Sequence, residues 1–187
     1  MSTALAPAAR AGISCTGFYN GVQQCQVGLS TSVAERRAQR QRASQWCWAA
    51  SLSMVFAYHG HAVSQERIVR EAYGRLVDMP AQPQLMVAAL NRTWRDDDDE
   101  DFTSRGDVFS ANPMTAARDL AEDEPLIIGT SHHAMVLTAL TYLRDQRGNG
   151  QVVAATVRDP WPDNPSRRAM SPQEWADVHF LARVRID

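Results

Sequence analysis

The chain is expected to adopt an α+β fold in two lobes, with helices in the first part and an antiparallel sheet in the second. Three observations lead there. Apolar residues recur at helical spacing from Cys47 to Tyr58, through Trp48, Leu52, Val55 and Phe56. The period then changes in the second half, where Pro125 to Thr130, His133 to Tyr142 and Gln151 to Asp159 read as strands. Arg147-Gly148-Asn149-Gly150, between the last two, is a turn signal for an antiparallel hairpin. Helices gathered first and strands gathered later indicate segregated layers.

Residues 1–40 are expected to form an irregular N-terminal arm, rich in Ala, Ser, Gly and Gln and ending in a basic stretch. The first helix starts at Cys47 and stops at Gly60. A second is capped by Ser64, buries Ile68, Val69 and Ala72, and ends at Gly74. A third covers Pro83 to Trp94. Asp96 to Asp101 form an acidic run without the alternating spacing and turn glycine of a calcium loop, so a solvated loop is expected. Asn112-Pro113 opens a short helix. Ser171-Pro172-Gln173-Glu174 is a capping box for another, and His179 to Ile186 closes the chain as a strand.

The 187 residues suit one domain, and 44% hydrophobic content supports a sizeable core. A net charge of -2 makes no electrostatic case for a nucleic acid or anionic-membrane partner. No apolar run approaches the roughly 20 residues of a membrane span. The residues from Met1 to Gly12 lack a charged stretch followed by an apolar one, so no ordinary signal peptide is expected. The protein is then either cytoplasmic or exported by a route that needs no such signal. Three cysteines leave at least one thiol free. Cys15 and Cys25 lie near each other and would be able to bridge in an oxidising compartment; the sequence leaves that open.

Cys47 stands where a helix begins. Unpaired N–H groups and the helix dipole favour a thiolate there, the nucleophilic form of the side chain. Such a nucleophile needs an imidazole beside it, an acceptor on the other ring nitrogen, and donors for the oxyanion. His133 begins a strand and Asp159 ends the next one, so the hairpin brings them to the same end of adjacent strands. Gln41 precedes Cys47 by six residues, with room to fold its amide back. His59 and His61 lie about three helical turns (~5.4 Å each) from Cys47, and no cluster has zinc-type spacing.

Gln41, five residues, then Cys47-Trp48-Ala49-Ala50 resembles the active-site segment of papain-like cysteine proteases. The likeness is to a compact bacterial branch, which includes secreted effector proteases of plant pathogens and the leader peptidases of bacteriocin exporters. His133-Ala134-Met135-Val136-Leu137-Thr138 and Asp159-Pro160-Trp161-Pro162 are similar to the histidine and aspartate motifs of the effector group. His132 and Ala139 stand where those families often have glycine. The resemblance implies a papain-like domain over 41–187, with a helical lobe carrying the Cys and a sheet lobe carrying the His and Asp. It implies Cys47, His133 and Asp159 as the catalytic set and Gln41 as oxyanion donor. Trp46, Trp48, His132 and Trp161 are expected around the substrate cleft. No metal or cofactor is implied. The expected activity is peptide hydrolysis through a Cys thioester, with a protein as substrate, by a bacterial effector or toxin with a possible cognate immunity or inhibitor protein. Two rivals share these residues: a protein glutamine deamidase or transglutaminase, and a peptide-binding module whose active site is retired.

Overall fold

A computed structural model describes residues 12–81 and 83–187. In chain order the elements are β1 (Ser14–Cys15), β2 (Val22–Gly28), α1 (Thr31–Arg36), α2 (Cys47–Tyr58), α3 (Gln65–Tyr73), α4 (Pro83–Leu90), β3 (Arg92–Arg95), β4 (Asp101–Phe109) and α5 (Pro113–Ala121). They continue with β5 (Leu126–Gly129), β6 (Ala134–Asp145), β7 (Gly150–Arg158), β8 (Arg167–Ala169), α6 (Pro172–Ala176) and β9 (Phe180–Ile186). The strands join one antiparallel sheet in the order β1-β2-β6-β5-β9-β4-β3, and β7 lies against β6 with β8 beyond it.

β6 organises this sheet. Its first residues, Ala134–Leu137, pair with β5, and Ala139–Asp145 pair with β2 on the same side. Its other edge takes β7. Side chains alternate across β5, β6 and β9. Ile127, Val136, Ala182 and Val184 face a core shared with α2, α3 and α4. Leu126, Ile128, Met135, Leu137 and Leu181 face a second core with α5, β2 and β7. α2 is buried from Trp48 to Ala57, which its almost continuously apolar sequence requires. α3 is amphipathic; Ser64 caps it through the Arg67 N–H, and Gly74 ends it in the left-handed conformation at φ 70°. The caps expected at Asn112 and Ser171 are both formed.

Three expectations are corrected. Within 1–40, the segment after residue 11 is not irregular: β1, β2 and α1 lie there, and β2 pairs with β6 over seven residues. The alternation of Val22, Gln24, Gln26 and Gly28 is too polar to announce a strand, because much of its stabilisation comes from β6. Cys15 and Cys25 face each other across β1–β2 and are bonded. Residues 1–11, on which the reading of a missing signal rests, lie outside the described residues. The helix expected over 83–94 ends at Leu90, because the Asn91 side chain bonds to Val87 O and to the backbone of Gly106 and turns the chain into β3. The acidic run is not wholly solvated. It is the β3–β4 hairpin loop, in which Asp96 is buried and Asp101 already belongs to β4.

Candidate active site

Cys47 is the first residue of α2, a half-buried free thiol. The first backbone bond of the helix runs from Ala50 N–H to Trp46 O. The N–H groups before it have no partner within the helix, and they give the helix end that carries Cys47 a positive potential. The approach to α2 is tied by its own polar groups. Trp46 N–H bonds to Ala43 O, and Gln41 Nε2 lies 2.9 Å from both Ala43 O and Ser44 O. Asp78 accepts from Ser44 N–H, Ser44 Oγ and Gln45 N–H, so the loop after α3 is locked onto the Cys loop.

His133 sits in the β5–β6 turn, closed by the Thr130 N–H to His133 O bond. Asp159 follows β7, whose Arg158 pairs with Val136 of β6. Nε2 of His133 is 2.7 Å from Asp159 Oδ1. A carboxylate only accepts, so Nε2 carries the hydrogen and Nδ1 is left for the sulfur. Cys47 is close enough to the same ring to raise its pKa. Burial pulls the pKa of His133 down, but the bond to Asp159, the proximity of Cys47 and the negative charge of Asp159 outweigh it and lift the ring to about 9. For Asp159, burial favours the neutral acid. Bonds from His133, Trp161 N–H, Arg168 and Asn164 overcome it and hold the carboxyl far below the usual range. A thiol beside a ring that keeps its proton in neutral solution can exist as a thiolate–imidazolium pair.

The three side chains therefore meet, from α2 on one side and β6–β7 on the other. Cys47 and His133 open onto a cleft of about 520 Å³ whose lining also includes Ser44, Gln45, Trp48, Met86, His132, Trp161 and Phe180, while Asp159 is buried behind His133. Trp161 stands edge-on to His133, with ring centroids 6.2 Å apart. Trp48 and His132 line the cleft as expected, while Trp46 does not: it is buried in the helical core, its indole N–H donating to Val77 O. Gln41 also differs from its expected pose. Its side chain is buried, its nitrogen is engaged by Ala43 and Ser44, and its Oε1 has no partner among the described residues. The exposed Gln45 is the glutamine that lines the cleft. Sequence reasoning did not find Arg40, Asn164, Arg168 and Glu174, which surround Asp159. Nothing distinguishes those arginines from the others in the chain before folding.

Away from the cleft, His61, Asp96 and Glu100 bring ligand atoms within 4.8 Å of one another. Asp96 is already committed to His61 Nδ1 and to the N–H groups of Asp98 and Glu100. That closes a hairpin loop without any cation.

A thiol at a helix head facing a His–Asp pair on an antiparallel sheet defines a papain-like cysteine peptidase. Residues 33–182 match the Peptidase_C39 like family, and the chain belongs to it. Among solved structures, the chain is similar to the peptidase domain of Streptococcus ComA, described as a bi-functional ABC transporter involved in a quorum-sensing pathway. That likeness has a TM-score of 0.54 at 17% identity and covers 80% of this chain and 96% of the other. The chain is also similar to UfSP from C. elegans, with a TM-score of 0.52 at 15% identity, covering 98% of this chain and 36% of that one. Both likenesses speak for the fold. No curated protein matches the sequence.

Proposed function

We propose that Cys47, His133 and Asp159 are the catalytic residues of a protease that cleaves peptide bonds in a protein substrate. The observation that carries this is the 2.7 Å His133–Asp159 bond at the cleft that His133 and Cys47 line together. The thiolate attacks the carbonyl carbon, and the oxyanion is met by the N–H of Cys47. His133 passes its Nδ1 proton to the leaving amine as the C–N bond breaks, giving a thioester. Nδ1 then takes a proton from water, hydroxide adds to the thioester, and the acid product leaves as the C–S bond breaks. Asp159 fixes the ring throughout. Gln41 would supply the second oxyanion donor by releasing one of its two loop carbonyls.

The test is mass spectrometry of protein lysate treated with wild type or Cys47→Ala. New termini that need Cys47 support the protease. A gain of ~1 Da on glutamine without new termini would replace it by a deamidase, which uses the same thioester.

We further propose that the enzyme works outside its producer, as an effector or toxin restrained by an immunity protein. The Cys15–Cys25 bond supports passage through an oxidising compartment. Expression in target cells checks it: equal growth with wild type and Cys47→Ala removes toxicity in that cell type.

A further inference from the structure

Asp159 is fully buried at its side chain, and its carboxylate is saturated. Oδ1 accepts from His133 Nε2 at 2.7 Å and from Trp161 N–H at 2.9 Å. Oδ2 accepts from Asn164 Nδ2 at 2.8 Å and from Arg168 Nε at 2.7 Å. A carboxylate offers about four lone-pair directions, so each has a donor. Turning the carboxylate would break several bonds together.

Arg168, on β8, is the one permanently charged member of this set. Its two terminal nitrogens fork onto Glu174, Nη2 to Oε1 at 2.6 Å and Nη1 to Oε2 at 3.0 Å. Glu174 Oε2 also accepts the Ser171 N–H, closing the capping box of α6. A continuous chain of hydrogen bonds therefore runs from the start of α6 through Glu174, Arg168 and Asp159 to His133, which lines the cleft with Cys47. The planar guanidinium binds one acid on its Nε side and another on its Nη side, a geometry lysine cannot copy.

We propose that Arg168, held by Glu174, is a positioning residue that keeps Asp159 ionised and correctly turned through the whole catalytic cycle. This rests on the triad reading above. When His133 gives its proton to the leaving amine, Asp159 loses its neighbouring imidazolium while remaining buried. Arg168 does not deprotonate in proteins and stays as its counter-ion. The carboxylate therefore has no need to take a proton itself, and the ring stays oriented for the water step. The other charged groups around Asp159 are Cys47 from α2, His133 from the β5–β6 turn, Glu174 from α6, and Arg40, whose Nη1 lies 3.4 Å from the Asp159 carbonyl. Of the cations among them, only Arg168 bonds the carboxylate and keeps its charge when His133 is neutral.

The experiment is the rate of Cys47 alkylation by iodoacetamide against pH, which needs no substrate, on the full chain. Wild type should react well below pH 7. Arg168→Met should move the acid limb upward by about one pH unit, ~tenfold slower at a fixed acidic pH. Glu174→Gln should shift it the same way by less, because an amide oxygen still caps α6, and Arg168→Lys should fall between wild type and Arg168→Met. An unshifted limb in folded Arg168→Met overturns the proposal and leaves the triad standing. If that variant does not fold, an unshifted limb in Glu174→Gln overturns it instead. A wild-type Cys47 that is inert below pH 7 sinks the triad itself, and this inference with it.

Discussion

The backbone N–H of Gln41 donates to the carbonyl of Pro160 at 2.8 Å. This bond joins the segment leading into the Cys47 helix to the loop that follows Asp159. Arg40 reinforces it with one guanidinium nitrogen near three carbonyls, at 2.6 Å from Trp161 O and Asn164 O and 3.4 Å from Asp159 O. Two consecutive residues thus tie the segment leading into Cys47 to the loop after Asp159.

Arg40→Ala should therefore damage catalysis more than stability. The lost bonds to carbonyls are worth about 1–3 kcal/mol of unfolding free energy. A shift of about 1 Å between the two halves of the site can cost ~10²-fold in rate. Urea denaturation beside steady-state kinetics checks this; a rate within about threefold of wild type would mean the halves are held together elsewhere.

His133 titrates at about 9, so kcat/KM should hold through neutral pH and fall along an alkaline limb near that value. In Asp159→Asn the limb should move toward the ordinary imidazole value near ~6.5. The folded pKa is raised, so the stability carried by the imidazolium is complete below ~6.5 and is lost as pH climbs through about 9. Wild type should accordingly lose Tm over that window, and Asp159→Asn should lose less of it. Thermal melts at several pH values measure both.

The two glutamines give opposite expectations. Gln41→Ala should lower kcat by roughly 10²-fold with little change in KM, the pattern of a lost oxyanion donor. Gln45→Ala, which removes an exposed cleft residue, should act mainly on KM. The reverse ranking would transfer the oxyanion role to Gln45 and leave Gln41 as a loop brace.

Gly129 is a close-approach position: a Cβ added there would land within the ring of Phe180. Gly129→Ala should cost about 1–3 kcal/mol of stability through overpacking. It should also raise KM, because Phe180 is pushed toward the cleft it lines. Adding Phe180→Leu should recover much of the stability. Denaturation of the single and double variants tests the pair.

The arrangement of Cys47, His133 and Asp159 was legible because each sits at a punctuated place: Cys47 where an apolar helical pattern begins, His133 and Asp159 at the ends of strands joined by an Arg-Gly-Asn-Gly turn. Hairpin geometry then brought two of them together without any knowledge of the rest. Strands β2 and β4 were illegible for the opposite reason. Val22–Gly28 and Asp101–Phe109 carry Gln, Asp, Ser and Gly at many positions. They are strands because β6 and β9 supply their partners, 111 to 123 residues away in the case of β2. Arg168 was unreadable on similar grounds, since its partners Asp159 and Glu174 converge on it only after β7, β8 and α6 have packed. Trp46 shows the limit of proximity in sequence: one residue from Cys47, it is buried in the core with its indole N–H on Val77 O.

β9 occupies an interior place in the sheet, hydrogen-bonded to β5 on one side and β4 on the other. During translation, both of those strands leave the ribosome with an open edge that only Phe180–Ile186 can fill. The Arg168–Glu174 couple also emerges late, long after Cys47. The centre of the sheet that carries the β5–β6 turn and His133 is consequently completed by the last strand to be made.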